Sequence, residues 1–192
     1  MIKKFSVGTI ILLLFLVVIA SEINCTNQEK DKGMTQAQMV AQGKYLVNST
    51  GCNDCHSPKI MTPMGPIPDS TKLLSGHPAD EKLPEFDNKL ISEKHVYIFS
   101  ADLTAFAGPW GVSYSANLTP DSETGSGAWQ EDMFINAIRN GKHLGIGRPI
   151  LPPMPWMSFK NLTDEDLKSI FAYLKTLTPI KNKVPDPAPT KM

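Results

Sequence analysis

The placement of proline limits this chain more than any other feature. Its 16 prolines fall in two blocks, eight between positions 58 and 120 and eight between 149 and 189, with none before 58 and none from 121 to 148. A proline ring clashes with the preceding helical turn and offers no N–H, so helices belong in the windows that lack it. In the first window Met39, Val40, Gly43, Leu46 and Val47 share one face, which predicts an amphipathic helix over 35–48. In the second, Trp129, Met133, Phe134 and Ile138 recur at three- and four-residue steps, with Asn140-Gly141 as the stop. A third helix fits between Pro155 and Pro179. Thr163 is placed to cap it, Asp164, Glu165 and Asp166 suit the positive end of its dipole, and Leu167, Ile170, Phe171, Leu174 and Leu177 form its apolar stripe. The stretch 57–120 shows no long helical period, only a short strand pattern at Val96 to Phe99, and 181–192 reads as a flexible tail.

The N-terminus belongs to targeting rather than to the fold. Two lysines in Met1 to Lys4 precede a nearly unbroken apolar run of sixteen residues, Phe5 to Ala20. That is the shape of a secretory signal peptide. An uncleaved anchor is the second reading, since a span needs roughly 20 apolar residues. Cys25 lies just beyond the run and ahead of a polar stretch, as the lipidated first residue of a bacterial lipoprotein does. Glu22 and Asn24 depart from the aliphatic and small residues such a cleavage site has, so an incidental cysteine is the other reading. The division expected is 1–24 signal peptide or N-terminal anchor, 25–34 polar tether, 35–180 one folded domain and 181–192 tail. With 19 basic against 19 acidic side chains, nothing is left over to neutralise a phosphate backbone, which argues against a nucleic-acid binder.

Export gives the segment Cys52-Asn53-Asp54-Cys55-His56 its meaning. Two thiols three residues apart can each add to a vinyl group of one haem, and the histidine that follows lies where its imidazole reaches the iron. Other readings stand beside this one. A thioredoxin-type dithiol wants a βαβ setting, whereas here a helix precedes the motif and a proline-rich stretch follows it. Structural zinc needs four ligands, and His77, His95 and His143 show no second paired spacing.

An electron carrier usually completes its iron with a thioether sulfur, which favours Fe(II). Among nine methionines, Met154 stands in Leu151-Pro152-Pro153-Met154-Pro155-Trp156, where prolines stiffen the backbone just ahead of the third helix. Packing is the plain alternative for such a methionine. Met157 is the nearest rival, Met61 and Met64 follow the motif closely, Met39 and Met133 sit on helix faces, and a histidine could serve instead. Arg148, Trp110, Trp129 and Tyr114 are candidates to meet haem propionates. His77 and His95 read as solvated, and His143 as a cation at a helix end.

Together the motifs resemble a class I type cytochrome c domain, and in particular the monohaem cytochromes and cytochrome subunits that accompany bacterial membrane-bound dehydrogenases. The resemblance runs from about Gln38 to Pro179. It is carried by Gly43-Lys44-Tyr45-Leu46 before the cysteine motif, by Ser115 to Asp121 followed by Thr124-Gly125 and Trp129, and by Pro153-Met154-Pro155-Trp156 before Leu162 to Leu167. It implies an all-α, cytochrome c-like fold in which N- and C-terminal helices cross over a covalently bound haem, with a long irregular insert after the motif. Gly43 would let an aromatic such as Phe171 or Tyr173 approach closely. The resemblance implies one haem c held by Cys52, Cys55, His56 and Met154, with His56 and Met154 on the iron.

The expected function is single-electron transfer outside the cytoplasmic membrane, on its periplasmic or extracytoplasmic face, without catalysis of its own. The donor would be a dehydrogenase or quinol-oxidising complex and the acceptor an oxidase. Attachment to the membrane would come through lipid on Cys25 or the N-terminal segment. The alternatives are an electron-transfer subunit of an oxidoreductase complex, and a one-haem enzyme or gas sensor with an open or labile sixth iron position.

Overall fold

Helix α1 (Gln36–Ser49) buries Gly43, Leu46 and Val47, the face that its apolar spacing marks out. It belongs to a computed structural model that describes residues 33–83 and 85–188; the apolar run 5–20 and Cys25 lie outside the described residues. Among the described residues, no helix is long and apolar enough to cross a membrane. After α1 the chain turns through Gly51, whose φ of 73° is one that a side chain resists, directly into the short helix α2 (Cys52–His56).

Two helices close the core on the other side. Helix α4 (Glu131–Asn140) ends on Gly141 at φ 62°, whose N–H donates to the Ala137 carbonyl, as the Asn-Gly pair leads one to expect. Helix α6 (Asp164–Leu174) begins at Thr163, whose hydroxyl accepts from the Asp166 N–H at 3.1 Å. It presents Leu167, Ile170, Phe171 and Leu174 to Leu46, Val47, Phe134 and Ile138. Phe134 and Phe171 stack with centroids 5.4 Å apart. Helices α1 and α6 pack against each other at Gly43, where an added Cβ would stand 1.8 Å from the Ser169 carbonyl oxygen and 2.8 Å from the Tyr173 Cβ. The short helices α3 (Asn88–Lys94) and α5 (Trp156–Phe159) complete the set.

The all-α expectation is overturned. The stretch after the cysteine motif forms two antiparallel sheets: β1 (Lys59–Thr62) with β2 (Gly65–Pro68), and β3 (Ile98–Phe99), β4 (Ala105–Gly108) and β5 (Gly111–Tyr114) in that order. The same prolines that forbid helix permit this arrangement. Pro66 and Pro68 lie opposite Met61 and Lys59 in a sheet of two strands, where each strand is an edge and a missing donor leaves no third strand unpaired. The β4–β5 hairpin turns on Pro109-Trp110, with Gly108 opposite Gly111. Strands of two to four residues are too short to show a clear alternation of apolar and polar side chains.

Part of the segment read as a flexible tail is held in place. Asn182 donates from its amide to the carbonyls of Ser75 at 2.7 Å and His77 at 2.8 Å, and accepts from the Ala79 N–H at 2.9 Å. Ala188 exchanges two backbone hydrogen bonds with Val112, of 2.8 and 3.0 Å, so the chain adds a bridge to the edge of β5.

Candidate functional site

Cys52, Cys55 and His56 line a cavity of about 500 Å³, and Met154 lines the same cavity. Cofactor pockets typically measure roughly 300–1,000 Å³, so the space suits a large prosthetic group. Its walls are mainly apolar and include Val47, Phe134, Ile138, Leu167 and Leu174. The elements read from the sequence as separate helices thus share one lining.

His56 is held by one ring nitrogen. Its Nδ1–H donates to the Ala116 carbonyl at 2.8 Å, which leaves Nε2 as the free lone pair and fixes the ring's direction. Burial holds its pKa below the usual histidine value; the Ala116 carbonyl opposes this, and the Lys59 charge adds to it. A neutral imidazole with one nitrogen anchored is the form that ligates a metal.

The cysteines are free and partly buried. Burial pushes both thiols up, against the Thr50 hydroxyl at Cys52 and against the Lys59 charge at Cys55. Protonated thiols do not fit a redox dithiol, which relies on a depressed pKa. Nor are the two thiols gathered with further ligands: among the described residues, the group able to hold a metal ion is His77, Glu81 and Asp102.

Lys59, the first residue of β1, is tied to the backbone of the motif. Its ammonium donates to the carbonyls of Asn53 at 3.1 Å, Asp54 at 2.9 Å and Ser57. Those acceptors belong to the final turn of α2 and the residue after its end, where helix carbonyls lack internal partners. The loop bearing Met154 is secured from β5: Ser113 donates its hydroxyl to the Pro152 carbonyl at 2.6 Å, and Trp110 donates its indole N–H to the Ser113 oxygen at 3.2 Å. The sheet in the insert therefore positions the methionine loop.

The rival methionines stand elsewhere. Met157 is 64% exposed, Met61 69% and Met64 96%, and none of them lines the cavity; neither do Met39 and Met133. Of the residues considered for propionates, Tyr114, Trp129 and Arg148 line the cavity, whereas Trp110 is engaged with Ser113. His143 also lines it, its ring edge-on to Trp129 at 5.2 Å. Burial, then the Arg148 charge, lowers its pKa, which disfavours the helix-end cation expected of it.

His95 is exposed, but His77 is 1% exposed rather than solvated. Its Nδ1–H meets the Thr104 hydroxyl at 2.8 Å, and that hydroxyl donates onward to Asp102 at 2.5 Å. Its ring lies 5.0 Å from Tyr114, and its N–H donates to the Ser115 carbonyl at 2.9 Å, one residue from the carbonyl that holds His56. Sequence reasoning missed Lys59, Ser113 and Ala116, because a lysine, a serine and a backbone carbonyl carry no spacing signal.

Three relatives illustrate what the chain is similar to. It is 30% identical to the gluconate 2-dehydrogenase cytochrome c subunit of Pantoea cypripedii over 135 residues, covering 70% of this chain and 22% of that protein. It is 38% identical to the fructose dehydrogenase cytochrome subunit of Gluconobacter japonicus over 78 residues, 41% of this chain and 16% of that protein. It is 36% identical to the cytochrome c subunit of the quinone alcohol dehydrogenase of Gluconobacter oxydans over 81 residues, 41% of this chain and 17% of that protein. The chain thus spans less than a quarter of the length of each of these relatives. No family model matches it.

Proposed function

We propose that this chain, a homologue of the cytochrome c subunits of dehydrogenases, is itself a monohaem c-type cytochrome that passes single electrons from a dehydrogenase or quinol-oxidising complex to a terminal acceptor outside the cytoplasmic membrane. What supports the reading is the convergence of Cys52, Cys55, His56 and Met154 on one largely apolar cavity, with the His56 ring anchored through Nδ1. Membrane attachment, through a lipid on Cys25 or through the N-terminal segment, belongs to the same proposal.

Haem supplies an iron that changes charge by one unit with little change in shape. The protein's part is to hold it. Cys52 and Cys55, which line the cavity, would hold the group covalently through their two sulfurs. His56 would offer Nε2 to the iron, its tautomer set by the Ala116 carbonyl. Met154 would offer its thioether sulfur as a further ligand, from a loop tied to β5 by Ser113. The apolar walls exclude water and limit reorganisation as the charge changes.

Haem staining of a denaturing gel tests the attachment. The wild-type band should stain, and replacing Cys52 and Cys55 together by Ala should abolish the stain. Stain that survives the double change, or its absence from wild type produced with the haem-attachment machinery, would refute the reading. Carbon monoxide binding to the reduced wild-type protein would overturn the closed site in favour of an enzyme or sensor.

A further inference from the structure

We propose that Lys59 is a positioning residue whose fixed ammonium charge, held against the carbonyls of α2, raises the reduction potential of the group carried by Cys52, Cys55 and His56. The inference rests on the haem reading and goes beyond it, since it assigns the potential to a residue outside the ligand set.

The geometry fixes the charge. A lysine on a surface strand ordinarily sweeps through solvent, yet this one donates to three carbonyls, of Asn53, Asp54 and Ser57, all within three residues of His56. Three acceptors satisfy the three donors of an ammonium, so the side chain has no reason to leave. The hairpin holds its backbone as well, since Lys59 pairs with Pro68 in β1–β2 and Asp69 N–H donates to the Pro58 carbonyl at 2.8 Å. Asp102 and Asp54 are the carboxylates that act on it electrostatically.

The sign follows from charge alone. Oxidation of an iron ligated by His56 adds one positive charge beside that imidazole, and a nearby ammonium makes this harder. A partly buried charge is screened by salt much less than an exposed one, so its influence should persist at high ionic strength.

Redox titration of the haem-loaded, full-length protein tests this, with Lys59→Gln and Lys59→Met as neutral variants and Lys59→Arg as the conservative one. At an ambient potential equal to the wild-type midpoint, both neutral variants should shift the oxidised-to-reduced ratio about threefold to tenfold toward oxidised. Tenfold corresponds to about 59 mV for one electron. Lys59→Arg should stay near wild type, and the shift should survive in high salt. The methionine–iron charge-transfer band, recorded in each variant, shows whether ligation is intact. Unchanged potentials in both neutral variants overturn the proposal, as does an arginine variant that falls as far as glutamine. A wild-type chain that carries no haem would instead refute the underlying reading, and the gel distinguishes that failure.

Discussion

Gly43 is where a single methyl group should do the most harm. A Cβ built there stands 1.8 Å from the Ser169 carbonyl oxygen and 2.5 Å from its carbon, whereas ordinary contact begins near 3.4 Å. The atoms in the way are backbone in the interior of α6, and no rotamer change can remove them. Helices α1 and α6 would have to separate by on the order of 1.5 Å along the seam that also carries Leu46, Val47 and Ile170. Overpacking typically costs about 1–3 kcal/mol, and a clash with backbone places Gly43→Ala at the upper end. Better helix propensity returns about 1 kcal/mol. The net loss is about 2 kcal/mol, which for a domain of this size lowers the unfolding midpoint by about 4–8 °C. Gly43→Leu adds three more carbons to the same gap and should lose more. Thermal unfolding of the two variants beside wild type, followed by circular dichroism, measures this. An alanine variant as stable as wild type would refute the reasoning, because only an open Gly43 could gain from propensity without the clash.

Met154→Ala should lower the reduction potential and let the ferrous protein bind carbon monoxide, whereas Met157→Ala, at an exposed position, should do neither; the reverse pattern would move the axial ligand. Burial holds His77 below its ordinary pKa, with the Asp102 charge opposing, so the unfolded chain takes up this proton at a higher pH than the folded one. Stability contributed by a neutral His77 is therefore complete above about pH 6.5 and declines as the pH falls through that value. Denaturant midpoints measured from pH 7.5 down to 5 should fall, and His77→Gln should flatten the slope; an identical slope in the variant would count against a buried neutral imidazole.

Much of this molecule is written locally. Helices α1, α4 and α6 announce themselves by apolar spacing, by the Asn140-Gly141 stop and by the Thr163 cap, because each signal acts within a turn or two of the backbone. The cysteine motif is local for the same reason: its two thiols and its imidazole lie within five consecutive residues. What escaped was decided at a distance. The insert's five strands are short, and their pairing depends on partners and turn geometry rather than on a period within any one of them. Asn182 turned part of a polar tail into a brace because the carbonyls of Ser75 and His77 happen to face it from more than a hundred residues away. His77 looked polar and exposed until Thr104 and Tyr114 were folded around it. The acceptor for His56 is the backbone oxygen of Ala116, sixty positions along the chain. Every residue owns such an oxygen, so side-chain identity reveals which groups can ligate, while only the tertiary structure selects the carbonyl that orients them.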